Sequence, residues 1–167
     1  MAVKKKLNIV IFGASGSIGS FLLEKYFKEK YNLLLFLKNK KKLHSLKKKY
    51  QSKGSQIIKY ELLDFSKFKD LKKKLKKNES FIRKSKLIIS TIGIQGEIGN
   101  FFDLKFKTFK DVLKINFFSQ VVLLRNIYKF VKKNKDTLII LFSGGGVTGH
   151  RVNFSPYVLS KIALVKL

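Results

Sequence analysis

The chain has 167 residues, no cysteine, two histidines and a formal net charge of +27. Without cysteine there is no disulfide, thiolate nucleophile or thiolate-ligated metal, and His44 and His150 alone are too few for a histidine-based metal site. No metal is therefore expected. Hydrophobic residues make up 45% and charged residues 28%, which implies a folded chain with a core, read as one domain over 1–167. No apolar run approaches the ~20 residues that a membrane helix needs, so no membrane partner is expected.

The charge invites a nucleic-acid reading, but only Arg83, Arg125 and Arg151 of the 37 basic residues are arginine. Arginine is the better residue for bidentate contacts to phosphate and guanine. The lysines also spread over nearly every predicted helix instead of forming one stripe. The bias toward Lys, Phe, Ile and Asn matches drift in an AT-rich genome. The surface therefore reads as solvated, with weak salt-dependent attraction to polyanions and no specific nucleic-acid site.

The start, Met1-Ala-Val-Lys-Lys-Lys before Leu7-Asn-Ile-Val-Ile-Phe12, has the outline of a signal peptide. Its apolar part is too short and runs straight into a glycine turn, so it reads as a strand, and the cytoplasm is the expected compartment. The first strand is Leu7–Phe12, and the helix after it carries Ile18, Phe21, Leu22 and Tyr26 at helical spacing. A second strand, Asn32–Leu37, precedes a lysine-rich helix with Leu43, Leu46 and Tyr50. A third, Gln56–Leu62, precedes a helix marked by Phe65, Phe68, Leu71 and Leu75, whose Lys/Asn/Glu stretch at 72–79 reads as an exposed end. A fourth, Lys86–Ser90, ends in Thr91-Ile-Gly93-Ile-Gln-Gly96. A long helix over 108–133 has a wide apolar face, and strand Thr137–Phe142 opens into Ser143-Gly-Gly-Gly146. Ser155-Pro156 reads as an N-cap followed by proline at the first helical position. This alternation predicts an α/β fold, a doubly wound, Rossmann-like parallel sheet of about five strands with flanking helices.

Gly13-Ala-Ser15-Gly16-Ser17-Ile18-Gly19 follows a strand and opens a helix, the context a dinucleotide-binding turn requires. Gly13 permits the tight turn, Gly16 lets the backbone approach a pyrophosphate, and Gly19 allows close helix–strand packing. The pyrophosphate would rest on N–H groups at the positive helix end, over Ser15 to Gly19. The second strand ends in Leu37-Lys38-Asn39 with no carboxylate to accept from ribose hydroxyls, and Lys38 offers a cation to a 2′-phosphate. NADP is thus expected ahead of NAD. Asp64 can accept from an adenine amino group, or it can cap the next helix, as can Ser66.

Tyr157-Val-Leu-Ser-Lys161 puts a phenol and an ammonium on one helix face. Bringing a phenol from pKa ~10 to ~7 takes about 4 kcal/mol. One cation about 4 Å away in a partly shielded site supplies a comparable amount. The helix start adds a smaller push in the same direction.

In this order the motifs resemble the short-chain dehydrogenase/reductase family along essentially the whole chain. The resemblance rests on the glycine turn, Asp64-Phe65, Ser90-Thr-Ile-Gly93, Lys114-Ile-Asn116, Ser143 and Tyr157/Lys161. It implies that Ser143, Tyr157, Lys161 and Asn116 form the catalytic set, with Tyr157 the proton donor and acceptor, Ser143 holding the substrate oxygen, and Asn116 supporting a water chain to Lys161. It also implies that Asp64, Phe65, Thr91, Gly93, Tyr157 and Lys161 face the cofactor, and that a nicotinamide passes hydride to or from a small carbonyl or alcohol substrate.

The three-and-three glycine spacing is nearer the family's extended and atypical branches, and Ser-Thr-Ile-Gly stands where Asn-Asn-Ala-Gly is usual. A non-catalytic NADP-binding sensor or scaffold, or a nucleotide-sugar-modifying relative of the epimerase type, are the alternatives. Homo-oligomers are common in the family, and the long apolar helix is a candidate surface for pairing. Leu167 falls inside an apolar-periodic helix without a stop signal. Family members continue into further sheet and substrate loops, so little or no turnover is expected of these residues alone.

Overall fold

The computed structural model describes residues 7–52, 54–134 and 136–167; the basic stretch 1–6, with its signal-like outline, lies outside them. Five strands, Asn8–Phe12 (β1), Asn32–Leu37 (β2), Ile58–Leu62 (β3), Ser85–Ser90 (β4) and Leu138–Leu141 (β5), form one sheet in the order β3-β2-β1-β4-β5. All four pairings are parallel. The helices are Ser17–Lys28 (α1), Lys40–Lys49 (α2), Phe68–Lys77 (α3), Glu79–Arg83 (α4), Phe106–Leu113 (α5), Ser119–Val131 (α6) and Ser155–Val165 (α7). This is the expected doubly wound, Rossmann-like sheet.

The strands read as unbroken apolar runs because helices cover both faces. Successive side chains leave a strand on opposite sides. Val10, Phe12, Leu34, Phe36 and Ile88 therefore meet Leu71, Leu75, Ile82, Leu123 and Ile127 of α3, α4 and α6. Ile9, Ile11, Leu33 and Leu35 meet Leu22 and Leu23 of α1 and Leu46 of α2 on the other side. Each such aliphatic side chain contributes about 1.5–3 kcal/mol relative to exposure. The strand order reverses between β1 and β4, and in open α/β sheets the ligand crevice lies beyond the carboxyl ends of the strands at that point.

Several local expectations are corrected. The stretch at 72–79 is exposed at Lys72, Lys73, Lys76 and Lys77, as expected, but its end is anchored to the core. Asn78 is buried and donates to Glu61 Oε1 at 3.0 Å, while Lys74 and Lys77 pair with the same carboxylate at 3.0 and 2.8 Å. The one-turn α4 follows at once and buries Phe81 and Ile82. Neither Asp64 nor Ser66 caps α3, whose N-cap is Lys67. Asp64 Oδ1 instead accepts from the Ser66 N–H and hydroxyl at 3.0 and 2.8 Å, and the Lys67 N–H donates to the Asp64 carbonyl, closing a tight turn. That turn leaves Phe65 outside the helix. The first helical residue of α7 is Ser155, so Phe154 is its N-cap.

The long helix is interrupted. Residues Lys114–Phe118 form a π-helical turn between α5 and α6, and the buried Asn116 lies at its centre. Such turns are rare and appear mostly as single bulges inside α-helices.

Candidate active site

The glycine turn is built from backbone constraints. Gly13 adopts φ +82°, in the region that favours glycine, and its N–H donates to the Phe36 carbonyl at 2.9 Å, tying β1 to β2. On the other side, the Thr91 hydroxyl donates to the carbonyls of Phe12 and Gly13 at 3.0 and 3.2 Å. A Cβ at Gly19 would stand 2.2 Å from the Gly13 carbonyl oxygen, so α1 presses directly onto the turn. At Gly16 a Cβ would meet only that oxygen, at 3.4 Å, and the position is otherwise open. No side chain caps the start of α1, leaving its first N–H donors for a ligand.

A crevice of about 250 Å³ opens here, lined by Gly13, Ser15, Gly16, Lys38, Asp64, Phe65, Thr91 and Gly93 of the expected set. Ile92, Ile94 and Ile115, which sequence reasoning missed, complete the wall. Ser17, Ile18 and Gly19 do not line it: Ser17 and Ile18 are exposed on the first turn of α1, and Gly19 is buried against the turn. Beneath it, Phe12 stacks on Phe36 at 4.5 Å between ring centroids and meets Phe65 edge-on at 6.3 Å.

Lys38 is not a free cation. Its ammonium pairs with Asp64 Oδ2 at 3.2 Å across the crevice mouth. Burial pushes the Asp64 carboxyl up, but bonds from Ser66 and Lys38 outweigh this and hold it below the usual aspartate value. Beside this pair, a hollow of about 480 Å³ is lined by Ser15 and residues Lys38, Asn39, Lys40, Lys41 and Lys42. Asn39 caps α2 through the Lys42 N–H at 3.0 Å, and Lys42 Nζ donates to the Ser15 carbonyl at 3.1 Å. The signal was present as Asn39 ahead of a lysine run, a capped helix starting immediately after β2.

At the far end, Tyr157 and Lys161 share one face of α7, with Lys161 Nζ 5.7 Å from the Tyr157 ring centroid. Lys161 is buried and donates to the Phe142 carbonyl at 2.9 Å, and burial pushes its ammonium below the ordinary lysine value. The Tyr157 hydroxyl occupies a notch at Gly144, where a Cβ would come within 2.2 Å of it. It has no hydrogen-bond partner among the described residues. Ser143 lies between these two contacts, is exposed, and makes no side-chain hydrogen bond to Tyr157.

Asn116 has its side chain fully engaged. It accepts from the Ile94 N–H at 2.8 Å and donates to the Ile94 carbonyl and the Ser160 hydroxyl, each at 2.9 Å. It therefore locks the loop after β4 to α7. A Cβ at Gly93 would lie 3.5 Å from Lys161 Nζ and 3.7 Å from Asn116 Oδ1, so the glycine brings the crevice wall against both.

A model of the short chain dehydrogenase family matches residues 7–167. The chain belongs to the short chain dehydrogenase family. Among solved structures, this short chain dehydrogenase resembles ElxO with NADP bound, at TM-score 0.86 and 17% identity, over 97% of this chain and 65% of that one. It also resembles a short chain dehydrogenase/reductase from Saccharomyces cerevisiae, at TM-score 0.83 and 21% identity, over 95% of this chain and 61% of that one. A short-chain dehydrogenase from Streptomyces avermitilis matches at TM-score 0.86 and 15% identity, over 98% of this chain and 58% of that one. The chain thus spans about three-fifths of the length of these structures. No curated protein matches it. Among the described residues, no helix is long and apolar enough to cross a membrane, and no group of three or more His, Cys, Asp and Glu residues is placed to hold a metal ion.

Proposed function

We propose that residues 1–167 form one NAD(P)-binding domain of an oxidoreductase that interconverts a carbonyl and an alcohol in the cytoplasm, with NADP as the preferred cofactor. The observation that carries this is the unpartnered Tyr157 hydroxyl beside Gly144, with buried Lys161 on the same helix face. Family membership and the NADP-bound ElxO both support the reading.

The residues present fit such a cofactor. The uncapped start of α1 and the open side of Gly16 suit a pyrophosphate. The lysine-lined hollow after β2 suits a 2′-phosphate, with Lys40, Lys41 and Lys42 as its cations, since Lys38 is already paired. When bound, the nicotinamide supplies or accepts the hydride. Tyr157 gives its proton to the carbonyl oxygen in reduction and removes one from the alcohol in oxidation. Lys161 holds a positive charge near the phenol, and an amine whose basicity is lowered by burial passes a proton on more readily. Ser143, exposed beside the notch, donates to the substrate oxygen. Asn116 acts as a positioning residue, because its side chain is spent holding Ile94 and Ser160.

Dinucleotide titration followed by a carbonyl-substrate screen tests the assignment, with Tyr157→Phe as the deciding variant. Turnover by these residues alone should be slow, and loss of the hydroxyl should leave NADP affinity unchanged while lowering that turnover by about 100-fold or more. Unchanged turnover in that variant would remove Tyr157 from the chemistry, and absence of dinucleotide binding would overturn the cofactor assignment.

A further inference from the structure

We infer that the crevice beside Tyr157 takes a carbonyl substrate with an apolar body and a carboxylate, and that Arg151 receives the carboxylate. This rests on the hydride-transfer reading above. The crevice measures about 500 Å³, and its wall joins the apolar Phe101, Val147, Val158, Leu159 and Ile162 to three polar side chains, His150, Ser155 and Arg151, of which Arg151 alone is a guanidinium.

Arg151 is fixed without being neutralised. Its guanidinium carbon lies 3.9 Å from the Phe154 ring centroid and 5.5 Å from that of Tyr157, so it packs against aromatic rings within reach of the reactive phenol. These ring contacts use no hydrogen bond, so the guanidinium N–H donors stay available. Among the described residues, Arg151 has no ion pair and no side-chain hydrogen bond, although nine lysine or arginine pairs with carboxylates occur elsewhere.

The backbone makes room for it as well. A Cβ at Gly145 would lie 3.2 Å from Arg151 Nη1, and one at Gly146 would lie 3.0 Å from Arg151 Cβ. A planar guanidinium with free donors binds a carboxylate through two parallel hydrogen bonds. Lysine is the default cation of this chain, so one of its three arginines at this place is a chemical choice.

The test is calorimetric titration of the NADP-loaded 167-residue chain with phenylpyruvate and with its methyl ester, which differ only in the anionic group. The acid should bind about 10-fold tighter or better, the range expected for hydrogen bonds to a charged group. Arg151→Gln should bring the two affinities to within about 2-fold, while Arg151→Lys, which keeps the charge but loses the fork, should retain only a few-fold preference. Arg151→Gln changes a net charge of +27 by one, so a loss confined to that site is not general surface attraction.

Equal affinity for acid and ester in the unaltered chain, no binding of the acid, or a preference that survives Arg151→Gln would each overturn the assignment. Where Arg151→Gln does not fold, the intermediate preference of Arg151→Lys decides, and a full preference there counts against it. Because the readout is binding, Tyr157→Phe should keep the preference; its turnover reports on hydride transfer separately.

Discussion

Gly16 and Gly19 lie one helical turn apart, and the structure gives them different work. A Cβ at Gly19 would stand 2.2 Å from the Gly13 carbonyl oxygen, 2.9 Å from its carbon and 3.0 Å from Ala14 Cα. All three are backbone atoms of a turn already fixed to β2 and β4, so no flexible side chain can give way. The oxygen contact is about 1 Å inside the shortest ordinary one, and overpacking of this kind costs about 2–3 kcal/mol. For a chain of this size, that lowers the melting temperature by roughly 5–10 °C. At Gly16 the only close atom stands at 3.4 Å, and Gly16→Ala should cost less than about 1 kcal/mol.

The cofactor should reverse the ranking of interest. At 100 times its dissociation constant, NADP should stabilise the unaltered chain by about 2.7 kcal/mol. Gly16→Ala should lose most of that increment, because the methyl group occupies the surface the pyrophosphate needs. Scanning calorimetry with and without NADP separates the effects. A Gly19→Ala protein melting within about 2 °C of the parent would refute the packing argument. A full cofactor increment in Gly16→Ala would refute the phosphate placement.

Other perturbations follow from the same geometry. Gly144→Ala places a methyl group where the Tyr157 hydroxyl now lies, and displacing that hydroxyl by about 1 Å should lower turnover about 100-fold. Gly99→Ala, whose added methyl group would meet only Leu104 Cδ2 at an ordinary 3.5 Å, is the control and should be neutral in the same assay. Asn116→Ala strips partners from the Ile94 amide and carbonyl and should cost about 2–4 kcal/mol. Hydrogen exchange at the Ile94 N–H should accelerate, and unchanged protection there would contradict the proposed lock.

Glu61→Gln tests the buried pair network. Burial pushes the Glu61 carboxyl up, but bonds from Lys77, Asn78 and Lys74 outweigh it and hold the group below its ordinary value. A carboxylate whose folded pKa is depressed adds stability above its unfolded pKa and loses it as pH falls through the folded one. The substitution should therefore cost about 1–3 kcal/mol at neutral pH and far less near pH 3, read as urea midpoints. An equal cost at both pH values would show that charge is not what Glu61 contributes.

The strands and most helices were legible because a parallel sheet covered on both faces needs continuous apolar runs such as Leu33–Leu37. Glycine positions were legible for a similar reason: Gly13 and Gly19 answer to backbone geometry, which the strand–turn–helix context already specifies. Elements governed by long-range partners were not. α4 is a single turn whose Phe81 and Ile82 are explained only by the core they enter, and Asn78 looked like surface until Glu61 was placed beside it. Lys38 was assigned by its position after β2, and only the fold brings Asp64 of another segment within 3.2 Å. Ser143, Tyr157 and Lys161 were found in order along the chain, but the glycine notch that seats the phenol depends on how β5 and α7 meet.

The π-helical turn at Lys114–Phe118 contains one more residue than a regular helix would need there. Each residue of an α-helix turns its successor by about 100°. α5 packs on α7, whereas α6 packs on α3 and α4. The extra residue is thus an angular spacer that lets one rod serve two walls facing different ways. Shortening the segment by a single amino acid would straighten it and swing Leu123, Ile127 and Val131 out of the layer they fill. A one-codon deletion here would therefore do more damage than most substitutions in the crevice.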